Sequence, residues 1–250
     1  MRRVFFACIV SVLVAGWCTT LFAQTKKVSI ATLDFPPISD PNAPGYGFVG
    51  ELFKAIFQSC DYSVDINIYP WARGFQFSKA GQVSDGIFPS IYRKEREEWF
   101  IFSDPIITSG YVLITRKNTG ITTYKSLYDF KDMTIGVLRK GITGSVMDSS
   151  DFKKEEGKDF ETNLHKLLIG RFELITGEYL AIMNLIHTKF ADRKDELVVV
   201  DPPISKIDFY LMVSRNSPDA AAILTCCNQG IAAIKQNGLL EKIKSKYGIR

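Results

Sequence analysis

The chain has 250 residues, 46% of them hydrophobic, 23% charged and 12% aromatic, and its formal charge at neutral pH is +4. That is enough apolar material for one large domain or for two lobes with separate cores, and it excludes a disordered tail, a collagen-like repeat and a small disulfide-built scaffold. So slight a positive balance gives no reason to expect a nucleic-acid partner.

The first element in chain order is an export signal. Arg2 and Arg3 precede an apolar run from Val4 to Trp17, and Thr19 to Ala23 close the segment before Gln24. A positive start, a hydrophobic stretch and a small final residue describe a secretory signal peptide over residues 1–23. The run is shorter than the roughly 20 apolar residues of a membrane-spanning helix. Trp17 before Cys18 does not suit lipid attachment, so the expectation is a soluble exported protein. Cys8 and Cys18 leave with the signal, while Cys60, Cys226 and Cys227 remain. An oxidising compartment then allows one disulfide and one spare thiol, with Cys60 paired to either neighbour of the doublet or the doublet paired internally. Three buried, unpaired cysteines are the competing reading, and no spacing matches a zinc site.

From Lys27 onward, strand-like and helix-like segments alternate. Val28 to Leu33 suits a buried strand, and Leu52, Phe53, Ile56, Phe57 and Cys60 recur at helical spacing as one apolar stripe. Val64, Ile66 and Ile68 alternate with Asp65, Asn67 and Tyr69, the period of a half-exposed strand. Trp71 to Lys79 reads as a helix, Asp85 to Phe88 as a short strand, Arg93 to Phe100 as a helix, and Ile106 to Thr115 as a strand long enough to leave one unit and enter another. A second series follows: strand Thr134 to Leu138, helix Glu161 to Ile169, strand Phe172 to Thr176, helix Glu178 to His187 and strand Leu197 to Val200. Asp208 to Ser214 reads as a strand returning to the first unit, before helices over Ala220 to Lys235 and Leu239 to Lys246. The alternation predicts an α/β, two-lobed architecture with largely parallel sheets. Crossings are expected near Arg116 to Gly120 and near Asp201 to Lys206, so lobe one holds residues 24–115 plus 208–250 and lobe two holds 116–207. Two crossing strands make a hinge, and the cleft between lobes is where a ligand belongs.

Motifs for covalent chemistry are absent. His165 and His187 lie in helix-like segments at no metal-ligand spacing, and there is no nucleophile elbow or phosphate-binding Walker loop. Gly45-Tyr46-Gly47-Phe48-Val49-Gly50 fits G-x-G-x-x-G, but Asp34 to Pro44 separates it from the preceding strand. A dinucleotide site needs that turn directly after the strand end. The glycines are better read as shaping a loop that leads into a helix, and no cofactor is expected.

The run from Tyr69 to Ile106 is more informative. It contains Pro70-Trp71-Ala72-Arg73, Asp85-Gly86-Ile87-Phe88-Pro89-Ser90, Arg93-Lys94-Glu95-Arg96 and Phe102-Ser103-Asp104-Pro105. Ile135-Gly136-Val137, Gly141-Ile142-Thr143-Gly144, Gly170-Arg171-Phe172-Glu173 and the closing segment from Asn237 to Tyr247 continue the series. In this order the elements resemble the bacterial extracellular solute-binding proteins of family 3, the periplasmic amino-acid-binding type, over nearly the whole mature chain. The resemblance implies a periplasmic-binding-protein fold of type II.

It also implies roles for residues. Arg96 stands where the family binds the ligand carboxylate, for which a planar guanidinium offers parallel donors. Arg93 replaces the family's usual threonine, which points to a second negative group on the ligand, and Arg73 would join it. Glu178 stands where the family places a carboxylate for the ligand ammonium. Thr143, with Ser145, would contribute hydroxyl and amide contacts from the second lobe. Phe35, Trp71, Phe88 and Tyr92, with Ser90 at the strand end, would line the cleft and exclude water from its ion pairs. The expected function is capture of a small carboxylate-bearing solute by a monomeric periplasmic protein that delivers it to an inner-membrane ABC permease. A periplasmic dehydratase of the prephenate or arogenate type, with Glu178 as proton shuttle, is the enzymatic alternative. A sensing module acting with a separate membrane partner is another.

Overall fold

Strand β1 (Lys26–Thr32) supplies the first buried apolar run and pairs in parallel with β2 (Tyr62–Ile68) on one side and β3 (Gly86–Ser90) on the other. The computed structural model describes residues 26–60, 62–139 and 152–249, so the expected signal peptide and Thr143 and Ser145 lie outside the described residues. Between β1 and β2, helix α1 (Phe48–Phe57) buries Phe48, Val49, Leu52, Phe53, Ile56 and Phe57. This is the stripe read from the sequence, and each such side chain removed from water stabilises by about 1.5–3 kcal/mol. Gly47 starts the helix at φ +76°, and Gly50 lies so close to the Gly45 carbonyl that a Cβ would stand 1.9 Å from its oxygen. The glycine motif therefore folds a tight loop into α1.

Helix α2 (Trp71–Ala80) covers the opposite face of the same sheet. Beyond β3 the structure departs from expectation: Lys94–Glu98 form only a short 3-10 turn, followed by the three-residue strand β4 (Phe100–Phe102). Five consecutive charged residues offer no apolar stripe to bury, so nothing extends the turn into a helix. Strand β5 (Ile107–Arg116) then leads to β6 (Thr134–Leu138), β7 (Lys153–Gly157), α3 (Phe160–Leu168), β8 (Leu174–Glu178) and α4 (Tyr179–Thr188). Strand β7 has the sequence Lys-Lys-Glu-Glu-Gly and occupies the sheet edge, where charge is favoured. The two strands expected at Leu197 to Val200 and Asp208 to Ser214 are one continuous strand, β9 (Leu197–Ser214). Helices α5 (Ala220–Gln236) and α6 (Leu239–Lys246) close the chain.

The strand order is β2-β1-β3-β9-β5-β8-β6-β7, with β4 also on β9. β1, β2 and β3 run parallel at one end, and β6, β7 and β8 run parallel at the other. Between them β5 and β9 pair antiparallel from Ile107↔Phe209 to Arg116↔Leu197. Val112 and Ile114 already pack with α3 and α4, whereas Ile107 and Phe209 belong to the core around α1 and α5. The change from one core to the other thus falls on β5 near Ser109 and Gly110. A hydrogen-bonded ladder, unlike a free linker, lets a strand pass between lobes without a break.

Of the cysteine pairings open to the sequence, the structure shows Cys60–Cys226, leaving Cys227 buried as a thiol. The bridge joins the end of α1 to α5. Those helices pack closely because Gly230 of α5 faces the Ile56 carbonyl, where a Cβ would meet oxygen at 1.9 Å.

Candidate functional site

The register of the central ribbon fixes where a site can lie. β3 ends at Ser90 beside Tyr210 of β9, and β8 ends at Glu178 beside Tyr111 of β5, itself paired to Ser205 of β9. β3 and β8 run toward each other, so their C-terminal ends face across Ser205 to Tyr210, roughly 17 Å of strand. Ligands of α/β sheets bind outside such strand ends.

Arg96 follows the end of β3. Its Nη1 donates to the Ile91 carbonyl at 3.1 Å, and its guanidinium carbon lies 5.5 Å from the Trp71 ring and 5.8 Å from the Phe75 ring. Trp71 and Phe75 are one helical turn apart on α2, which puts both rings on one side of the cation. Burial against them, and secondarily the nearby charge of Arg93, lower its pKa. Among the described residues Arg96 is in no ion pair. The surface partner it could have had, Glu97, instead accepts from the Tyr92 hydroxyl at 2.8 Å. A half-buried guanidinium with donors to spare can receive a carboxylate bidentately.

Glu178 ends β8 and caps α4. It is 7% exposed; Oε1 accepts from the Ser109 hydroxyl and Oε2 from the Ala181 N–H at 2.8 Å. Burial raises its pKa, and the donors at Ser109, Ala181 and Leu180 oppose that rise without cancelling it. Among the described residues no charged side chain contributes. A buried carboxylate with hydrogen-bond donors but no cation is suited to an incoming ammonium.

The other predicted residues separate into those brought to the facing strand ends and those that are not. Phe35 lies just beyond β1, half-buried in a turn whose N–H donates to the Ser39 carbonyl at 2.9 Å. Trp71 opens α2 just after β2 and borders a cavity of about 370 Å³ with Leu33, Asp34, Ile68, Tyr69 and Pro70. Tyr92 is 51% exposed, its ring edge-on to Phe102 at 5.1 Å, and Phe102 in turn meets Tyr210 at 6.0 Å. Arg93 is exposed and close enough to Arg96 to act on it.

Three of the expected residues are not brought to the facing strand ends. Phe88 is fully buried on the α1 side of the sheet, edge-on to Phe53 at 5.2 Å. Strand alternation turns it away from Arg96, because its neighbour Ile87 is the one that faces α2. Ser90 is 1% exposed and its hydroxyl turns back to the Ile87 carbonyl at 3.3 Å. Arg73 is exposed and stands two residues beyond Trp71, about 200° around α2 from the Arg96-facing side, so the three arginines do not converge. Two contributors went unforeseen. Phe75 was signalled by its i+4 spacing from Trp71, whereas nothing in the sequence singles out Ser109.

Residues 28–249 match the bacterial extracellular solute-binding proteins, family 3. Among individual proteins, the arginine-binding extracellular protein ArtP of Bacillus subtilis is 23% identical over 235 residues, covering 89% of this chain and 86% of that protein. The L-cystine solute receptor of Neisseria gonorrhoeae, in its unliganded open conformation, superposes with a TM-score of 0.73 at 19% identity, over 90% of this chain and 93% of that one. The GluR0 ligand-binding core of Nostoc punctiforme in complex with L-glutamate gives 0.63 at 17% identity, over 88% and 98%. The two structural likenesses establish the two-lobed α/β fold with its pair of crossing strands, and the match along nearly the full described length establishes the lineage. This chain belongs to the bacterial extracellular solute-binding proteins, family 3.

Proposed function

We propose that the protein captures an amino acid or closely related solute between two lobes, residues 26–110 with 208–249 and residues 111–207. The solute carboxylate is held by Arg96 against Trp71 and Phe75, and its ammonium by Glu178. Phe35 and Tyr92 border the same space. The protein works as a monomer in the periplasm, delivering its solute to an inner-membrane ABC permease without chemically altering it. The observation that carries this reading is the pair of complementary groups, Arg96 and Glu178, neither in an ion pair among the described residues, at strand ends that face one another. The relatives that bind arginine, L-cystine and L-glutamate support an amino-acid solute.

A thermal-shift panel of the twenty L-amino acids and L-cystine should show at least one solute that raises the melting temperature by mass action. Charge-assisted hydrogen bonds contribute about 1.5–3 kcal/mol. Arg96→Ala should therefore weaken that solute by about ten- to 150-fold in isothermal titration while keeping the ligand-free melting temperature. Unchanged affinity in the variant would refute the assignment.

A further inference from the structure

Glu178 is the one charged group of the site held from two directions. We infer that Ser109 is a positioning residue of the solute site: its hydroxyl fixes the orientation of the Glu178 carboxylate and ties it to the strand on which the lobes turn. The inference rests on the role of Glu178 proposed above.

Ser109 lies two residues before Tyr111, the residue paired with Glu178, so strand alternation puts Ser109, Tyr111 and Glu178 on one face of the sheet. It also lies where β5 crosses between the lobes, opposite Ile207 of β9. At the next residue, Gly110, a Cβ would stand 2.0 Å from the Ser205 carbonyl oxygen, so the two crossing strands are in close contact beside it. The second Glu178 oxygen binds the first turn of α4 at Ala181. The adjoining Leu180 is 1% exposed and packs in the first lobe's core together with Ile107 and Phe209. The carboxylate is thus a joint between hinge strand and helix. A carboxylate has about four acceptor positions, and donors from Ser109 and α4 leave room for an ammonium.

The groups facing Glu178 are Ser109 and Tyr111 from β5 and the amides of Leu180 and Ala181 from α4. Lys206 and Asp208 of β9 pair with Gly110 and Thr108, on the other face of the ribbon. Without the Ser109 hydroxyl, burial acts on the carboxylate with one donor fewer to offset it, so the proton is held to higher pH.

The test uses Ser109→Ala and Ser109→Thr, with the L-amino acid or L-cystine that gives the largest thermal shift in the parent protein as probe. In isothermal titration, Ser109→Ala should lose about tenfold in affinity at the acid end of the profile. The fall of affinity on acidification should begin at higher pH, and Ser109→Thr should restore the parent profile. A loss equal at every pH would overturn the inference, because general damage to the fold has no reason to follow one carboxyl group. In the ligand-free protein, carbon-detected NMR titration of the Glu178 carboxyl should show its midpoint raised in Ser109→Ala and restored in Ser109→Thr; an unmoved midpoint would overturn it equally. Glu178→Gln separates the two levels. If that variant binds the probe as the parent does, the ammonium assignment falls and this inference with it. If it loses binding while Ser109→Ala keeps the parent profile, only the role of Ser109 falls.

Discussion

Cutting the Cys60–Cys226 bridge should destabilise the protein mainly by freeing its unfolded state. The bond closes a loop of 166 residues, and the chain-entropy relation for a loop of that size gives about 5 kcal/mol at room temperature. Were the second lobe to remain folded while the first unravelled, the effective loop would shrink to roughly 70 residues. The figure would fall only to about 4.4 kcal/mol, since it depends on the logarithm of loop length. The clean perturbation is Cys60→Ala with Cys226→Ala, which leaves Cys227 as the only cysteine among the described residues and avoids a buried hydroxyl. Urea unfolding followed by circular dichroism and by tryptophan fluorescence should show a midpoint lowered by several kcal/mol equivalents. The slope should be steeper as well, because an uncrosslinked unfolded chain exposes more surface. A loss below about 1 kcal/mol with an unchanged slope would refute the idea that the bridge acts on the unfolded chain.

Two further outcomes follow from the site and the hinge. Burial raises the Glu178 pKa above its ordinary 4.5, so the ligand-free folded state binds more protons than the unfolded state between 4.5 and the raised value. The stability associated with this proton is complete below 4.5 and is lost as pH rises through the folded pKa; the melting temperature of the parent should therefore fall relative to Glu178→Gln across that window, and a constant difference would sink the claim. Gly110→Ala places a methyl group against the Ser205 carbonyl, which should cost about 1–3 kcal/mol in urea unfolding, and a neutral result would mean that the ribbon yields there.

Amphipathic elements were the most legible part of the chain. The stripe of α1 and the alternation of β2 state their own partners, because a buried face is written into the spacing of its residues. Strand β7 was not legible: its charged residues are held by pairing to β6, a long-range contact with no local signature. The merger of two strand-like segments into β9 was hidden by Pro202 and Pro203, which interrupt the pattern although the structure carries the strand through them. For the site, Arg96 could be read from its motif, but its cage of Trp71 and Phe75 depends on how α2 lies over the sheet. Phe88 shows the limit of reading aromatics as cleft residues. One step of strand phase decides which face a ring occupies, and its phase is set by pairing with β9. Ser109 is an ordinary strand serine until Glu178 is brought beside it from 69 positions away.

The uninterrupted β9, zipped to β5 along most of its length, has a consequence for motion. Two independent tethers would let the halves slide, rock and swivel separately. A ribbon of paired strands resists sliding, since shear would tear successive rungs, yet it flexes readily out of its own plane. On the proposed function, opening and shutting would be confined to little more than a single degree of freedom, like a book on its spine. A guest would then need to freeze few collective movements when the covers meet, keeping the entropic cost of capture small.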